Sequence, residues 1–131
     1  MKRVELTKEH YEKLKKRLRN FHKNNPMMDR YHLQFDDDVI LHEIEKFTNL
    51  FETDSLSINK AADLLSRMYL DHNIPFAILS DDLDIIKDTL ISTVETERIE
   101  EFNEFFKALK NSVAYRFLKV AAKEYKPIVS V

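Results

Sequence analysis

The sequence predicts an all-α protein, an up-and-down bundle of four to five helices that forms a single domain over residues 1–131. Three observations carry this prediction. The chain contains no glycine, although hairpin turns and tight loops depend on glycine for positive φ angles. Its apolar residues recur at intervals of three and four, which is the spacing of one helix face. Its length is that of one ordinary domain.

Composition excludes several classes of protein. Without glycine, the chain cannot hold a phosphate-binding P-loop, a dinucleotide-binding fingerprint or a nucleophile elbow. Without cysteine, it has no disulfide, thiolate nucleophile or cysteine-ligated metal. Residues 1–5 lack the apolar run typical of a signal peptide, and no stretch approaches the ~20 apolar residues of a membrane span. The net charge of −2 gives no argument for nucleic acid. We therefore expect a cytoplasmic protein without a membrane or nucleic-acid partner.

The first helix is predicted from residue 8 to 24, with Thr7 as its N-cap. This helix carries an excess of five positive charges, which is typical either of a patch for an anionic partner or of a solvated face. We favour the solvated face and expect it to pair with the acidic stretch from Asp81 to Glu104. The apolar stripe of the first helix comprises Tyr11, Leu14, Leu18 and Phe21.

The second helix is predicted from about 37 to 52, after a connection of undefined structure over residues 27–35. Asp36, Asp37 and Asp38 suit a helix start, where acids lie beside the positive end of the dipole. They lack the spacing of an EF-hand loop, so a divalent-cation site is the lesser alternative. The buried edge is predicted to comprise Ile40, Ile44, Phe47 and Phe51, widened by Val39, Leu41 and Leu50.

A hinge over residues 71–76 is predicted to join the third helix, about 58–72, to the fourth and to close an antiparallel pair. Asn73 can take the left-handed conformation that ends a helix, and Pro75 suits the first turn of the next. The alternative for the fourth helix is a break and restart at Ser80-Asp81-Asp82. The predicted core residues of the two helices are Ile58, Ala61, Ala62, Leu65, Met68, Tyr69 and His72, then Phe76, Ile78, Leu79, Leu83, Ile85, Ile86, Leu90 and Ile91.

The last helix is predicted from about 97 to 125, after a turn over residues 93–97. The alternative is one unbroken helix that continues from the fourth helix past residue 100. Its length of about 40 Å exceeds what a bundle of this size needs. We therefore expect part of this helix to extend towards an output domain or to pair with a second subunit. Its predicted apolar face comprises Phe102, Phe106, Leu109, Val113, Phe117 and Val120, widened by Phe105, Leu118 and Ala121.

Histidines are the first candidates for ligand or metal binding. A di-iron bundle repeats Glu-x-x-His on facing helices, and this chain has no such repeat, so we predict no metal. His72 lies at a helix C-terminus, where the dipole favours a protonated capping histidine. The alternative is that His72 or His42 contacts a haem or another small ligand, with Tyr69 on the same face.

Phosphotransfer is a second possible role for His42. Histidine-phosphotransfer domains are four-helix bundles with an exposed histidine and a nearby lysine, and Lys46 lies four positions after His42. The family pattern has lysine three positions on, followed by glycine, and this sequence departs from it. No spacing of serine, aspartate or histidine singles out a nucleophile with its base, so the sequence favours a protein that is not an enzyme.

The segment Tyr69-Leu70-Asp71-His72-Asn73-Ile74-Pro75-Phe76, followed by Leu83, Ile86-Lys87 and Leu90, resembles helical regulatory regions of bacterial diguanylate cyclases. In those proteins, including the globin-coupled ones, such a region precedes the GGDEF output domain. A helix that ends in a histidine-containing turn with Ile-Pro leads there into an amphipathic helix bearing a lysine. The resemblance implies a sensory or signal-transmitting bundle that acts on an output domain in cis, through helix packing or as a homodimer.

The sequence thus supports three hypotheses. The preferred one is a non-catalytic sensory or transmission domain that needs no cofactor. The second is a stand-alone adaptor that binds a protein partner through its acidic or basic face. The third is phosphotransfer through His42.

Overall fold

A computed structural model describes residues 1–30, 37–53 and 56–124. Within these residues the chain forms helices and turns and no strand, so the prediction of an all-α bundle is confirmed. Two short 3-10 helices, Leu50–Glu52 and Thr96–Arg98, accompany the α-helices. The α-helices are α1 (Lys8–Asn24), α2 (Pro26–Arg30), α3 (Asp37–Asn49), α4 (Ile58–Asp71), α5 (Phe76–Ile91) and α6 (Ile99–Glu124).

The predicted start of α1 is confirmed by its cap. The hydroxyl oxygen of Thr7 accepts a hydrogen bond from the backbone N–H of His10 at 3.3 Å, and Nδ1 of His10 accepts one from the N–H of Thr7 at 3.0 Å. This reciprocal arrangement satisfies two N–H groups that a helix start leaves without partners. The short helix α2 lies in the connection whose structure the sequence left undefined. The predicted capping role of Asp36 falls outside the described residues.

The hinge between α4 and α5 has the backbone that its sequence predicts. Asn73 has a φ of 56°, in the left-handed region. The N–H of Ile74 donates to the carbonyl oxygen of Tyr69 at 2.9 Å, and that of Asn73 donates to Leu70 at 3.1 Å. These bonds satisfy carbonyls at the end of α4. Pro75 lies one position earlier than expected, because it is the extended N-cap of α5 and not its first helical residue.

The fourth predicted helix does not break at Ser80-Asp81-Asp82, because α5 runs without interruption from Phe76 to Ile91. Asp82 faces the interior, where it has side-chain partners, and does not cap a new helix. The predicted turn before the last helix is confirmed at residues 92–95. There the hydroxyls of Ser92 and Thr93 donate to the carbonyl oxygens of Thr89 and Leu90 and so help to end α5.

The helix α6 is the central packing element of the bundle. It lies against both α4 and α5, while α1 packs against α5 and α3, and α3 packs against α4. The hinge was expected to close α4 and α5 into an antiparallel pair, but each of them makes its main backbone contact with α6. The physical reason is the wide buried face of α6, which comprises Phe102, Phe105, Phe106, Leu109 and Val113.

An aromatic cluster fills the core beside α6. The ring of Phe51 stacks on that of Phe106 with centroids 5.5 Å apart, and Phe47 meets Phe51 edge-on at 5.5 Å. Most of the predicted core is buried as expected, but Leu118 was predicted to widen the α6 stripe and is 68 % exposed. The side chains of Val39 and Ile40 lie outside the part of the chain whose burial is described.

Among the described residues, the expected pairing of α1 with the acidic stretch 81–104 is found where Nε2 of His22 lies 2.8 Å from Oδ1 of Asp82. Other charged residues of the two regions have partners elsewhere. Lys15 of α1 contacts Glu45 of α3, with Nζ and Oε2 2.9 Å apart. Asp84 lies 2.7 Å from the ammonium of Lys110 on α6. The acidic stretch therefore takes a cation from α6, because α6 packs directly on α5.

The N-terminal segment, residues 2–6, contacts both the 3-10 helix Leu50–Glu52 and the residues at the start of α6. The N–H of Val4 donates to the carbonyl oxygen of Phe51 at 2.7 Å. The guanidinium of Arg98 donates to the carbonyl oxygens of Lys2 at 2.7 Å and of Arg3 at 3.1 Å. The side chain of Val4 is buried, so the segment closes the core at this end.

Within the described residues, no helix has the length and apolar character needed to cross a membrane.

Candidate functional site

A buried polar cluster joins α1, α4 and α5. Nε2 of His22 lies 2.8 Å and 3.1 Å from the two carboxylate oxygens of Asp82. The hydroxyl of Tyr69 donates to Oδ2 of Asp82 at 2.6 Å. Tyr69 and Asp82 are each only 1 % exposed, and His22 is buried as well. We call His22, Tyr69 and Asp82 the polar cluster.

Burial dominates the titration of the polar cluster. Removal of Asp82 from water raises its pKa above the ordinary 3.8, although hydrogen bonds and charge from His22, and a hydrogen bond from Tyr69, oppose that shift. The pKa of Tyr69 is also raised, first by burial and then by the charge of Asp82 and its hydrogen bond. Tyr69 therefore keeps its proton and acts as a donor.

A buried network of this kind is weak evidence of selection for stability. Taking ionisable groups out of water costs free energy, and their mutual attraction often only offsets that cost. Well-packed apolar residues at the same positions can give the protein equal stability. Such networks fix one arrangement of the elements that carry them, provided that each member has a partner. Here the network fixes α1, α4 and α5 relative to each other. Tyr69 also ties it to the hinge, because its carbonyl oxygen accepts from Ile74.

The three residues named as ligand candidates from the sequence occupy different environments. Tyr69 belongs to the polar cluster. His72 is the C-cap of α4, and its Nε2 lies 3.6 Å from Oε2 of Glu43, a buried oxygen that accepts no hydrogen bond from the described residues. His42 is exposed on α3. The structure therefore links Tyr69 to His22 and Asp82, and pairs His72 with Glu43 of α3.

Sequence reasoning missed His22 and Asp82. The signal for His22 is its position four residues after Leu18, in line with the apolar stripe of α1. Asp82 likewise lies three residues after Leu79 and four before Ile86, within the apolar seam of α5. A polar residue on each of two apolar stripes indicates a buried pair. The prediction of no metal remains untested, and the described residues hold no group of three His, Cys, Asp or Glu side chains that fits a metal ion.

A second feature is the face of α6 that points away from the core. Its residues are spaced four, three, four, three and four apart, and all of them are exposed. Two are large and apolar: Tyr115 is 58 % exposed and Leu118 is 68 % exposed. We call this face the α6 stripe; it comprises Glu104, Ala108, Asn111, Tyr115, Leu118 and Ala122.

Charge along α6 changes sign from one end to the other. Its first turns carry Glu100 and Glu101 as well as Glu104 of the stripe. Its last turns carry the exposed Lys119 and Lys123 beside the stripe. The ammonium of Lys119 lies 4.7 Å from the centroid of the Tyr115 ring, in a cation–π contact. The face thus has an acidic start, an apolar and small-residue centre, and a basic end.

Comparison of the chain with protein-family models, with curated proteins and with solved structures finds no match.

Proposed function

We propose that the chain is a non-catalytic sensory or signal-transmission domain of a bacterial signalling protein. It works in the cytoplasm without a cofactor, associates with a second copy, and regulates a diguanylate cyclase-type output through α6. The resemblance at residues 69–90 suggests the kind of output, and the arrangement of α6 supports the mode of action.

The observation that carries this proposal is the double role of α6. One face of this helix lies in the core against α4 and α5, and the opposite face exposes Tyr115 and Leu118. Exposed large apolar side chains on one helix face are typical of a protein–protein contact. A shift in the packing of α4 or α5 therefore moves a surface that is available to a partner, as in helix-shift switches.

The polar cluster supports the same mechanism from the other side of the bundle. His22, Tyr69 and Asp82 couple α1 to α4 and α5, which are the two helices that seat α6. An input that changes the position of α1 or the hinge thus reaches α6 through direct contacts. The polar cluster holds the helices in one arrangement until such an input arrives.

Fusion to an output domain tests the proposal. A GGDEF domain joined after residue 131 gives a cyclase whose rate can be compared between the native chain, Leu118→Glu and the control Lys60→Glu. Lys60 is exposed on α4 and lies outside the α6 stripe. We expect Leu118→Glu to change the rate severalfold and Lys60→Glu to leave it unchanged, with unaltered circular dichroism in both variants.

Equal rates for all three fusions would refute regulation through α6. A salt-sensitive complex with a charged protein, together with equal rates, would favour the adaptor hypothesis. An absorbance spectrum of the same native sample tests the absence of a cofactor. A Soret band would contradict that part of the proposal and would make His72 and His42 the first residues to replace.

A further inference from the structure

The α6 stripe has the pattern of a coiled-coil seam. Alternating spacings of four and three place all six of its residues along one line of the helix, as the a and d positions do in a heptad repeat. The core face, with Phe102, Phe106, Leu109 and Val113, lies on the other side of the same helix. A helix with a second, exposed seam can pack against another helix without any change in its own bundle.

Charge decides which helix fits the seam and in which direction. Glu100, Glu101 and Glu104 lie at one end of α6, and Lys119 and Lys123 lie at the other. Two parallel copies of α6 would bring acid to acid and lysine to lysine. Two antiparallel copies bring the acidic end of each helix to the basic end of the other. Each exposed pair contributes little alone, but the contacts between the acidic end of one helix and the basic end of the other all attract; the exposed Lys107 lies between those ends.

Side-chain size favours the same arrangement. In an antiparallel pair whose two-fold axis passes between Asn111 and Ser112, Ala108 of one copy lies opposite Tyr115 of the other. The small side chain gives room for the large one, as interdigitating helix faces require. The same register sets Glu104 opposite Lys119.

We propose that a second copy of this chain occupies the α6 stripe, antiparallel and centred between Asn111 and Ser112. This inference rests on the proposed function, because it names the partner and the geometry of the surface through which that function works. One helix face from each copy is a small interface compared with the ~1,200–2,000 Å² of stable complexes. The association is therefore weak and concentration-dependent, as a regulated contact requires.

The absence of cysteine makes the geometry testable with single substitutions. Three variants carry one thiol each at an exposed, uncharged position: Asn111→Cys at the centre of the stripe, Ala122→Cys near its end and Ala77→Cys on α5 as a control. Each is treated with a short bismaleimide crosslinker across a range of protein concentrations. In the proposed dimer the two copies of residue 122 are about 32 Å apart along the axis, at ~1.5 Å per residue.

We expect Asn111→Cys to form a crosslinked dimer severalfold faster than Ala77→Cys, and Ala122→Cys to match the control. Efficient crosslinking of both Asn111→Cys and Ala122→Cys would show a parallel pair and overturn the proposed direction. Crosslinking of Ala122→Cys alone would overturn the register. No excess over Ala77→Cys at either position would show that a second copy does not occupy the stripe.

These outcomes are separate from those of the fusion experiment. If the fused cyclase responds to Leu118→Glu but no α6 dimer crosslinks, the proposed function stands and a second copy is excluded as the occupant of the α6 stripe. A crosslinked antiparallel dimer whose fused output ignores Leu118→Glu would retain the dimer and refute the function.

Discussion

Tyr69 shows how much one hydroxyl group contributes at the scale of a residue. Its ring belongs to the apolar face of α4, as the spacing of the sequence predicts, while its O–H donates to a buried carboxylate on α5. The apolar part of the side chain makes it a core residue. The hydroxyl group determines its polar partner, the carboxylate of Asp82.

Replacement of Tyr69 by Phe removes that donor and leaves the ring in place. A hydrogen bond to a charged or strongly polar group typically contributes about 1.5–3 kcal/mol. We therefore expect Tyr69→Phe to lower the free energy of unfolding by roughly that amount in urea titrations followed by circular dichroism. Tyr115→Phe is the matched control, because Tyr115 is exposed, and it should cost less than about 0.5 kcal/mol. Equal effects of the two substitutions would show that the hydrogen bond from Tyr69 to Asp82 adds no stability.

At the scale of an element, the hinge between α4 and α5 depends on one backbone angle. The chain has no glycine, so a residue with a Cβ must supply the left-handed conformation, and Asn73 does so with a φ of 56°. Asparagine tolerates this region better than other residues with a Cβ because its short polar side chain can bond locally.

Substitutions at Asn73 should therefore follow backbone preference and not hydrophobicity. We expect Asn73→Ala to destabilise the chain by about 1 kcal/mol, since the left-handed conformation costs ~1–2 kcal/mol for such residues. Asn73→Gly should be neutral or stabilising. Thermal unfolding of both variants, with Asn20→Ala on the exposed face of α1 as a control, measures the difference. A hinge in which Ala and Gly are equally tolerated would not need the left-handed angle.

At the scale of the whole molecule, two carboxyl groups among the described residues have pKa values shifted in opposite directions, so they respond oppositely to pH. The pKa of Asp82 is raised by burial, so its favourable contribution is complete below its unfolded pKa and is lost as pH rises through its folded pKa. The pKa of Glu101 is lowered, chiefly by a hydrogen bond from Arg98, so its contribution is present above its unfolded pKa and is lost as pH falls.

Two variants separate these contributions. We expect the free energy of unfolding of the native chain, relative to Asp82→Asn, to decrease as pH rises from below about 3.8. Relative to Glu101→Gln it should increase over the acidic range. Urea titrations at a series of pH values give both differences. A native advantage over Asp82→Asn that grows with pH would mean that the pairing of Asp82 with His22 outweighs the effect of burial.

The predictable part of the fold is the part that local sequence determines. Thr7 and Asn73 mark helix ends through their own hydrogen bonds and backbone angles, and the apolar spacing identifies the helices between them. The polar cluster depends on residues 60 positions apart, His22 and Asp82, so no local pattern brings them together. The prediction for Leu118 was wrong for a related reason. Its position beside the apolar stripe suggests burial, but the sequence does not tell how far the covered face of α6 extends.

The contacts of the N-terminal segment determine when, during synthesis, the bundle can finish folding. The N–H of Lys2 donates to the carboxylate of Glu101 at 3.4 Å, across 99 positions of sequence. At ~5–20 residues per second, the ribosome delivers Glu101 about 5–20 s after Lys2. During that time the part of the core that α6 supplies has not been synthesised, so Val4 and the apolar faces of the first helices cannot be buried against it. Final closure of the bundle is thus tied to the emergence of α6 and not to that of the residues made first.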